Sequence, residues 1–197
     1  PESAHNHGTY TTTTLGGAFE GQLYGPAYEA EFLLAKTEDV GQEEPIEEDW
    51  YVAGLEWGEL LGADVASSSL GYIDWYTFDD LDGETAVTTI AVTIAIENGM
   101  TVTTAAGNYG ENGIIAPADA FDVITCGAVN VDGEIAGFSS HGPTADGRIK
   151  PDVCAQGVNT YCANIDGPSS YRTANGTSLS TPLVGGAVAI ILSARPN

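Results

Sequence analysis

Between residues 31 and 194, short runs of apolar and β-branched residues alternate with longer segments whose apolar residues recur at helical spacing. This alternation is the strongest constraint on the fold, because strands separated by helices pair in parallel and the helices cover the sheet. The strand-like runs are residues 31–36, 63–68, 100–106 and 123–131. The helical segments run from near Pro45 to Leu61, over residues 84–98, and from near Ser178 to about Ala194. In the first of these, Pro45 suits a helix start and the acids after it suit the positive end of the dipole. Trp50, Ala53, Trp57, Leu60 and Leu61 form one apolar stripe, read as core, and Gly62 supplies a stop. Residues 84–98 carry Thr, Val and Ile, poor helix formers, so burial must override propensity there. The expectation is an α/β fold, a mainly parallel sheet with helices on both faces. No repeat or low-complexity linker interrupts the chain, and residues 1–197 read as a single domain.

Charge narrows the partners. Five Lys and Arg stand against 28 Asp and Glu, a formal net charge of −23. Phosphate contacts need clustered cations, so no nucleic acid is expected, and no anionic membrane surface. The longest wholly apolar run, residues 183–192, has ten residues against the roughly 20 of a spanning helix, so no membrane partner is expected. Residues 38–49 hold seven acids in twelve positions and read as a solvated loop leading into the helix, with calcium as the alternative although EF-hand spacing is missing. Cys126, Cys154 and Cys162 are too few for a disulfide framework. They read as buried free thiols, with a Cys154–Cys162 bridge as the alternative; no C-x-x-C or His/Cys pairing suggests zinc.

In a wound parallel sheet, functional residues gather at the carboxyl ends of strands. Ser69 and Asn108 lie just past two of the runs, and Ser178 lies where the loop Asn175-Gly176-Thr177 feeds a helix. A serine hydroxyl needs a base to become a nucleophile, and free N–H groups at a helix start favour an oxyanion. The bland alternative is that Ser178 or Ser180 caps the helix, with Pro182 in the first turn. The three histidines, His5, His7 and His141, all precede Ser178. An α/β-hydrolase order needs a later histidine and G-x-S-x-G, which residues 176–180 do not provide. A chymotrypsin-like order needs an all-β scaffold. The order acid, His, Ser on an α/β fold is what is left.

The stretches His7-Gly8-Thr9, Ser68-Ser69-Leu70-Gly71, Ala105-Ala106-Gly107-Asn108, Phe138-Ser139-Ser140-His141-Gly142-Pro143, Lys150-Pro151-Asp152-Val153 and Asn175-Gly176-Thr177-Ser178-Leu179-Ser180-Thr181-Pro182 occur in this order over nearly the whole chain. They resemble the subtilases, the subtilisin-like serine peptidases, and most of all the secreted bacterial members. The resemblance implies a serine endopeptidase working through an acyl-enzyme. Ser178 would be the nucleophile, His7 the base, and Asn108 an oxyanion donor beside the Ser178 N–H. Ser69, Leu70, Gly71, Ala106 and Gly107 would bind an extended protein or peptide substrate. The chemistry would need no cofactor and no metal; structural calcium stays open and unlocated. His141 and Asp152 read as structural, and His5 as a neighbour of the base or part of a loose terminus.

One part of the pattern is missing. The family's acid precedes the histidine on a strand of its own, yet only Glu2 is acidic before His7. The chain therefore reads as a subtilisin-like peptidase domain truncated at the N-terminus, and short at the C-terminus too, inactive or weak in isolation. Its beginning at Pro1, without a visible leader, reads as processed, cut or truncated. The missing N-terminal segment or a propeptide would be a further partner. Two alternatives remain open: a non-catalytic subtilase-like peptide-binding module, and a serine esterase. Thr11 to Thr14 are expected to weaken any helix after His7. The acidity fits a secreted or extracellular protein that tolerates salt or cold.

Overall fold

The computed structural model describes residues 6–39, 41 and 43–195; His5 and Glu2 lie outside these. Helix α1 spans Asn6–Gly16, followed by strands β1 (Ala18–Phe19) and β2 (Leu23–Tyr24) and helix α2 (Ile46–Leu60). Strand β3 (Val65–Ser68), helix α3 (Val87–Glu97), strand β4 (Thr101–Ala105) and strand β5 (Ile124–Val129) come next. Strands β6 (Val153–Gln156), β7 (Thr160–Ala163) and β8 (Tyr171–Ala174) precede helix α4 (Thr177–Ser193). Strands β3-β4-β5-β6 form a four-stranded sheet in that order, every pair parallel. The alternation seen in the sequence thus produces the expected α/β architecture. Two antiparallel pairs, β1–β2 and β7–β8, are separate from this sheet.

Consecutive residues of β4 show that helices cover both faces. Val102 packs into a core with Tyr51 of α2 and Val92 and Ala95 of α3. Its neighbour Thr103 points the other way, as the pleat requires, toward α4. There Gly185 lets the helix approach: a Cβ at that position would lie 3.1 Å from Ser67 Cβ and 3.2 Å from Thr103 Oγ1. Small residues on β3 and β4 and a glycine on α4 thus bring the helix that carries Ser178 close onto the sheet. Helix α1 packs in turn on α4 and β7.

Several expectations fail or hold only in part. Residues 31–36 form no strand, and Phe32, Leu33 and Leu34 are exposed. Strand β3 ends the described sheet on that side, so the run has no ladder to join. The stripe on α2 faces outward, with Trp50 and Trp57 about two-fifths exposed. The buried face holds Glu47, Glu48, Tyr51 and Gly58 instead. Two carboxylates can occupy it because both are satisfied. Glu47 accepts the N–H groups of Asp39 (2.7 Å) and Glu44 (3.2 Å), and Glu48 accepts Trp75 Nε1 (2.7 Å) and the Tyr76 hydroxyl (2.9 Å). The acid run is therefore only partly a solvated loop.

The threonines of α1 do not break it. Thr13 Oγ1 donates to Thr9 O at 2.7 Å, Thr14 Oγ1 donates to Tyr10 O at 2.8 Å, and Ala163 N–H of β7 donates to Thr13 Oγ1 at 3.1 Å. Back-bonding plus a tertiary contact offsets the weak propensity. All three cysteines are free, but Cys154 is exposed on β6 while Cys126 and Cys162 are buried. Cys154 and Cys162 lie on different sheets, and no bridge joins them.

Among the described residues only two ion pairs form, Arg148–Asp146 at 2.6 Å and Lys150–Asp152 at 2.8 Å. Most of the 28 acids therefore repel one another without a local cation. Screening should relieve that repulsion. The melting temperature is expected to rise as sodium chloride goes from about 0.01 M to about 0.15 M, where the screening length falls from roughly 30 Å to 8 Å. A flat or falling thermal-denaturation series would contradict this.

Candidate active site

Ser178 is held by what α4 lacks. The helix starts at Thr177 with Gly176 at its N-cap, a glycine at φ 144 that has no side chain to cap with. Ser178 Oγ does not cap either; it donates to the Ser69 carbonyl at 3.3 Å. Ser180 Oγ donates to Thr177 O at 2.9 Å, so the capping explanation fails for both serines. Pro182 lies inside the helix rather than in its first turn. Having no N–H, it leaves the carbonyl of Ser178, four residues earlier, without its helical donor. Ser69 Oγ supplies the missing bond at 2.9 Å. The two serines are clasped in both directions, which ties the end of β3 to the start of α4.

Asn108 is oriented from the same turn. Thr177 N–H donates to Asn108 Oδ1 at 2.9 Å, which fixes that atom as the acceptor and leaves Nδ2 as a free donor. Gly107 N–H donates to Thr177 Oγ1 at 3.3 Å. Gly107 is at φ +109, and a Cβ there would meet Ser140 Oγ at 2.9 Å, so glycine is required on both counts. Ser140 Oγ accepts the N–H of Tyr109 at 2.9 Å, pinning the loop after β4 from the other side. Ser178 N–H, in the first turn of α4, has no intrahelical acceptor. Asn108 and Ser178, the residues that carry these two donors, line one cleft.

That cleft has a volume of about 430 Å³ and is lined by Ser69, Leu70, Gly71, Gly107, Asn108 and Ser178, together with Ala105, Tyr109, Ile115, Thr177, Glu38 and Glu43. Ala106 does not reach it: it is fully buried, with its N–H on Cys126 O and its carbonyl on Ile115 N–H. His7 is in the first turn of α1, exposed, and is not among the lining residues. No hydrogen bond joins its ring to Ser178 Oγ among the described residues. Desolvation of the ring by the surrounding protein lowers its pKa, which favours the neutral form. His141 is exposed with Nδ1 against Gly142 O at 3.1 Å, and Asp152 accepts Thr125 N–H and Lys150 Nζ, both at 2.8 Å. Both are structural contacts.

Sequence reasoning missed Thr177 and Ser140, although both stand inside recognised motifs. It also missed Glu38 and Glu43, whose place in the cleft follows from the path of a loop. Burial pushes the Glu38 carboxyl up to about 7, Glu47 and Glu43 add to the rise, and the Tyr72 hydroxyl, donating at 2.6 Å, opposes it.

Comparison with known proteins settles the ancestry. The sequence model of the Subtilase family matches residues 1–197. The chain belongs to that family. It is 31% identical to serine protease AprX of Bacillus subtilis (strain 168), over 100% of this chain and 50% of that protein. With subtilisin E of the same strain the identity is 33%, over 99% of this chain and 48% of that protein. The chain thus spans about half the length of these relatives. The solved patellamide maturation protease PatA superposes with a TM-score of 0.82 at 26% identity, over 99% of this chain and 70% of that one. The subtilase relatives are serine proteases, and no described helix is long and apolar enough to cross a membrane.

Two outcomes follow for this subtilase site. Ser69→Ala orphans the Ser178 carbonyl and should cost about 1–3 kcal/mol in urea unfolding, but much less in a Pro182→Ala background, where a helical N–H replaces the lost donor. Equal costs in both backgrounds would refute the clasp. For Glu38, the folded chain holds a proton that the unfolded chain releases between about pH 4.5 and 7, so its contribution to stability falls as pH rises through that window. Glu38→Gln should therefore lose less melting temperature than the parent from about pH 5 to about pH 8.

Proposed function

We propose that the cleft hydrolyses peptide bonds, with Ser178 as nucleophile, His7 as base and Asn108 as oxyanion donor. The observation that carries this reading is the Thr177–Asn108 bond. It leaves the Asn108 Nδ2 amide as an unused donor on a residue that lines the same cleft as Ser178. In the reaction, Ser178 Oγ bonds to the scissile carbonyl carbon and its proton passes to the imidazole. The carbonyl oxygen becomes the oxyanion, held by Asn108 Nδ2 and the Ser178 N–H. The imidazolium then protonates the leaving amine, and water releases the acyl group by the same steps in reverse order of roles. Ser69, Leu70 and Gly71 offer backbone groups to an extended peptide. Gly107 shapes the floor, and Ala106 supports it from below rather than touching substrate. No cofactor enters any step.

The acid that would orient the imidazole is absent from this chain. Loss of a triad acid lowers kcat by roughly 3 × 10⁴ in subtilisin-type sites, so turnover by residues 1–197 alone is proposed to be slow. An added N-terminal segment or propeptide remains the proposed partner. The proposed setting is outside the cell, as for secreted bacterial subtilases. A second reading, a peptide-binding module without turnover, draws on one observation: Ser178 Oγ gives its proton to Ser69 O and not to His7.

Covalent labelling separates the two. A fluorophosphonate is expected to label Ser178, confirmed by peptide mapping, with labelling lost in Ser178→Ala and slowed in His7→Ala. Asn108→Ala should cut turnover about 10²–10³-fold while leaving peptide affinity nearly unchanged. Peptide binding with no labelling and no product would establish the binding module.

A further inference from the structure

We propose that Glu38 and Glu43 set the specificity of the Ser178 cleft, making its wall a subsite for a cationic side chain, lysine or arginine, of an extended peptide. This rests on reading the cleft as a peptide site. The starting observation is the lining itself: both carboxylates share one cavity with Ser178 and Asn108. A cavity of about 430 Å³ is within the range that takes a ligand group, roughly 300–1,000 Å³.

The wall is built, not incidental. Its loop is fastened at both ends to one buried side chain, since Glu47 accepts the N–H of Asp39 next to Glu38 and the N–H of Glu44 next to Glu43. Glu47 is fully buried at the start of α2, so the loop is anchored to a helix. Tyr72 OH fixes Glu38 Oε1 at 2.6 Å. Carboxylate oxygens of Glu38, Glu43 and Glu47 lie within 4.8 Å of one another. Such crowding calls for a cation, and among the described residues no ion pair supplies one: Lys36, two residues before Glu38, and Arg195 are exposed and form none. Arg148 and Lys150 are taken by Asp146 and Asp152, and Arg172 lies over the Tyr10 ring 5.0 Å away. No ion pair reaches Glu38 or Glu43 among the described residues. Burial first, then the negative charges of Glu47 and Asp74, raises the Glu43 carboxyl as well. A substrate cation entering the cleft would favour the ionised carboxylates and release the proton that Glu38 otherwise keeps up to about pH 7, whereas an acidic or neutral side chain would leave the acids unbalanced.

The test uses the intact chain and fluorescently labelled, capped, otherwise neutral extended peptides, with arginine placed at each position in turn against citrulline at the same position. Citrulline keeps the shape and hydrogen bonding of arginine and removes the charge. At one position the arginine peptide should bind about tenfold more tightly by anisotropy. That ratio should collapse toward one in Glu38→Gln and in Glu43→Gln. Glu43 is exposed, so its variant keeps the fold intact, which a thermal melt checks. Equal affinity for both peptides at every position would overturn the specificity while leaving the peptide site standing. No binding of either peptide would overturn both. A ratio of one together with a large rise in melting temperature on adding calcium chloride would assign the acids to a metal and also overturn the proposal.

Discussion

The site depends on a carbonyl that a proline leaves free. Helix α4 gives up one internal hydrogen bond at Pro182, and the Ser178 oxygen so exposed is taken by Ser69 across 109 residues of sequence. The reverse bond, Ser178 Oγ to Ser69 O, closes the pair. The end of β3 is thereby fixed to the first turn of α4. The end of β4 reaches that same turn through Asn108 and Thr177. Parallel strands deliver their carboxyl ends to one edge of the sheet, and helix α4, brought close by Gly185, meets them there. Ser178 and Asn108, from distant parts of the chain, line one cleft for that reason.

A second constraint lies at the start of α2. Two buried glutamates stand where an apolar face would be expected, and each is fully engaged. Glu47 holds the loop from Asp39 to Glu44, and Glu48 holds Trp75 and Tyr76. Burying a carboxylate is costly unless its oxygens are satisfied, so the bonds and the burial require each other. Glu38 and Glu43 thereby line the same cleft as Ser178. The path of that loop, rather than the overall charge of the chain, puts negative potential where a substrate would lie.

The parts legible in the sequence were those set by local chemistry. Strand-and-helix alternation gave the parallel sheet, and the motifs around Ser69, Asn108 and Ser178 marked three points that do converge. The misreadings came from long-range partners. Periodicity placed Trp50 and Trp57 inside because it scores side chains by polarity and cannot see that Asp39, Glu44, Trp75 and Tyr76 would satisfy Glu47 and Glu48. It made residues 31–36 a strand because composition says nothing about whether a neighbour exists to pair with. It placed Pro182 in the first turn because the helix start, fixed by Gly176 and the Asn108 bond, is a tertiary feature. Thr177 and Ser140 were in plain view, but their work is to orient other groups, and no single sequence carries that.

The state of the Ser178 hydroxyl joins these threads. Its proton rests on Ser69 O at 3.3 Å, longer than a usual O–H···O bond, so little is lost when it turns away. Ser69 keeps the backbone in place through its own, shorter bond to Ser178 O, so the turn of the hydroxyl does not loosen the helix start. Position and proton are thus controlled by two separate bonds of one pair. The proposed base, His7 on α1, would compete for the proton without disturbing these backbone bonds. Among the described residues, the bonds that hold the serine run to Ser69 and, through Thr177, to Asn108, and none of them passes through the histidine, so the scaffold of the serine and the supply of a base are separate problems.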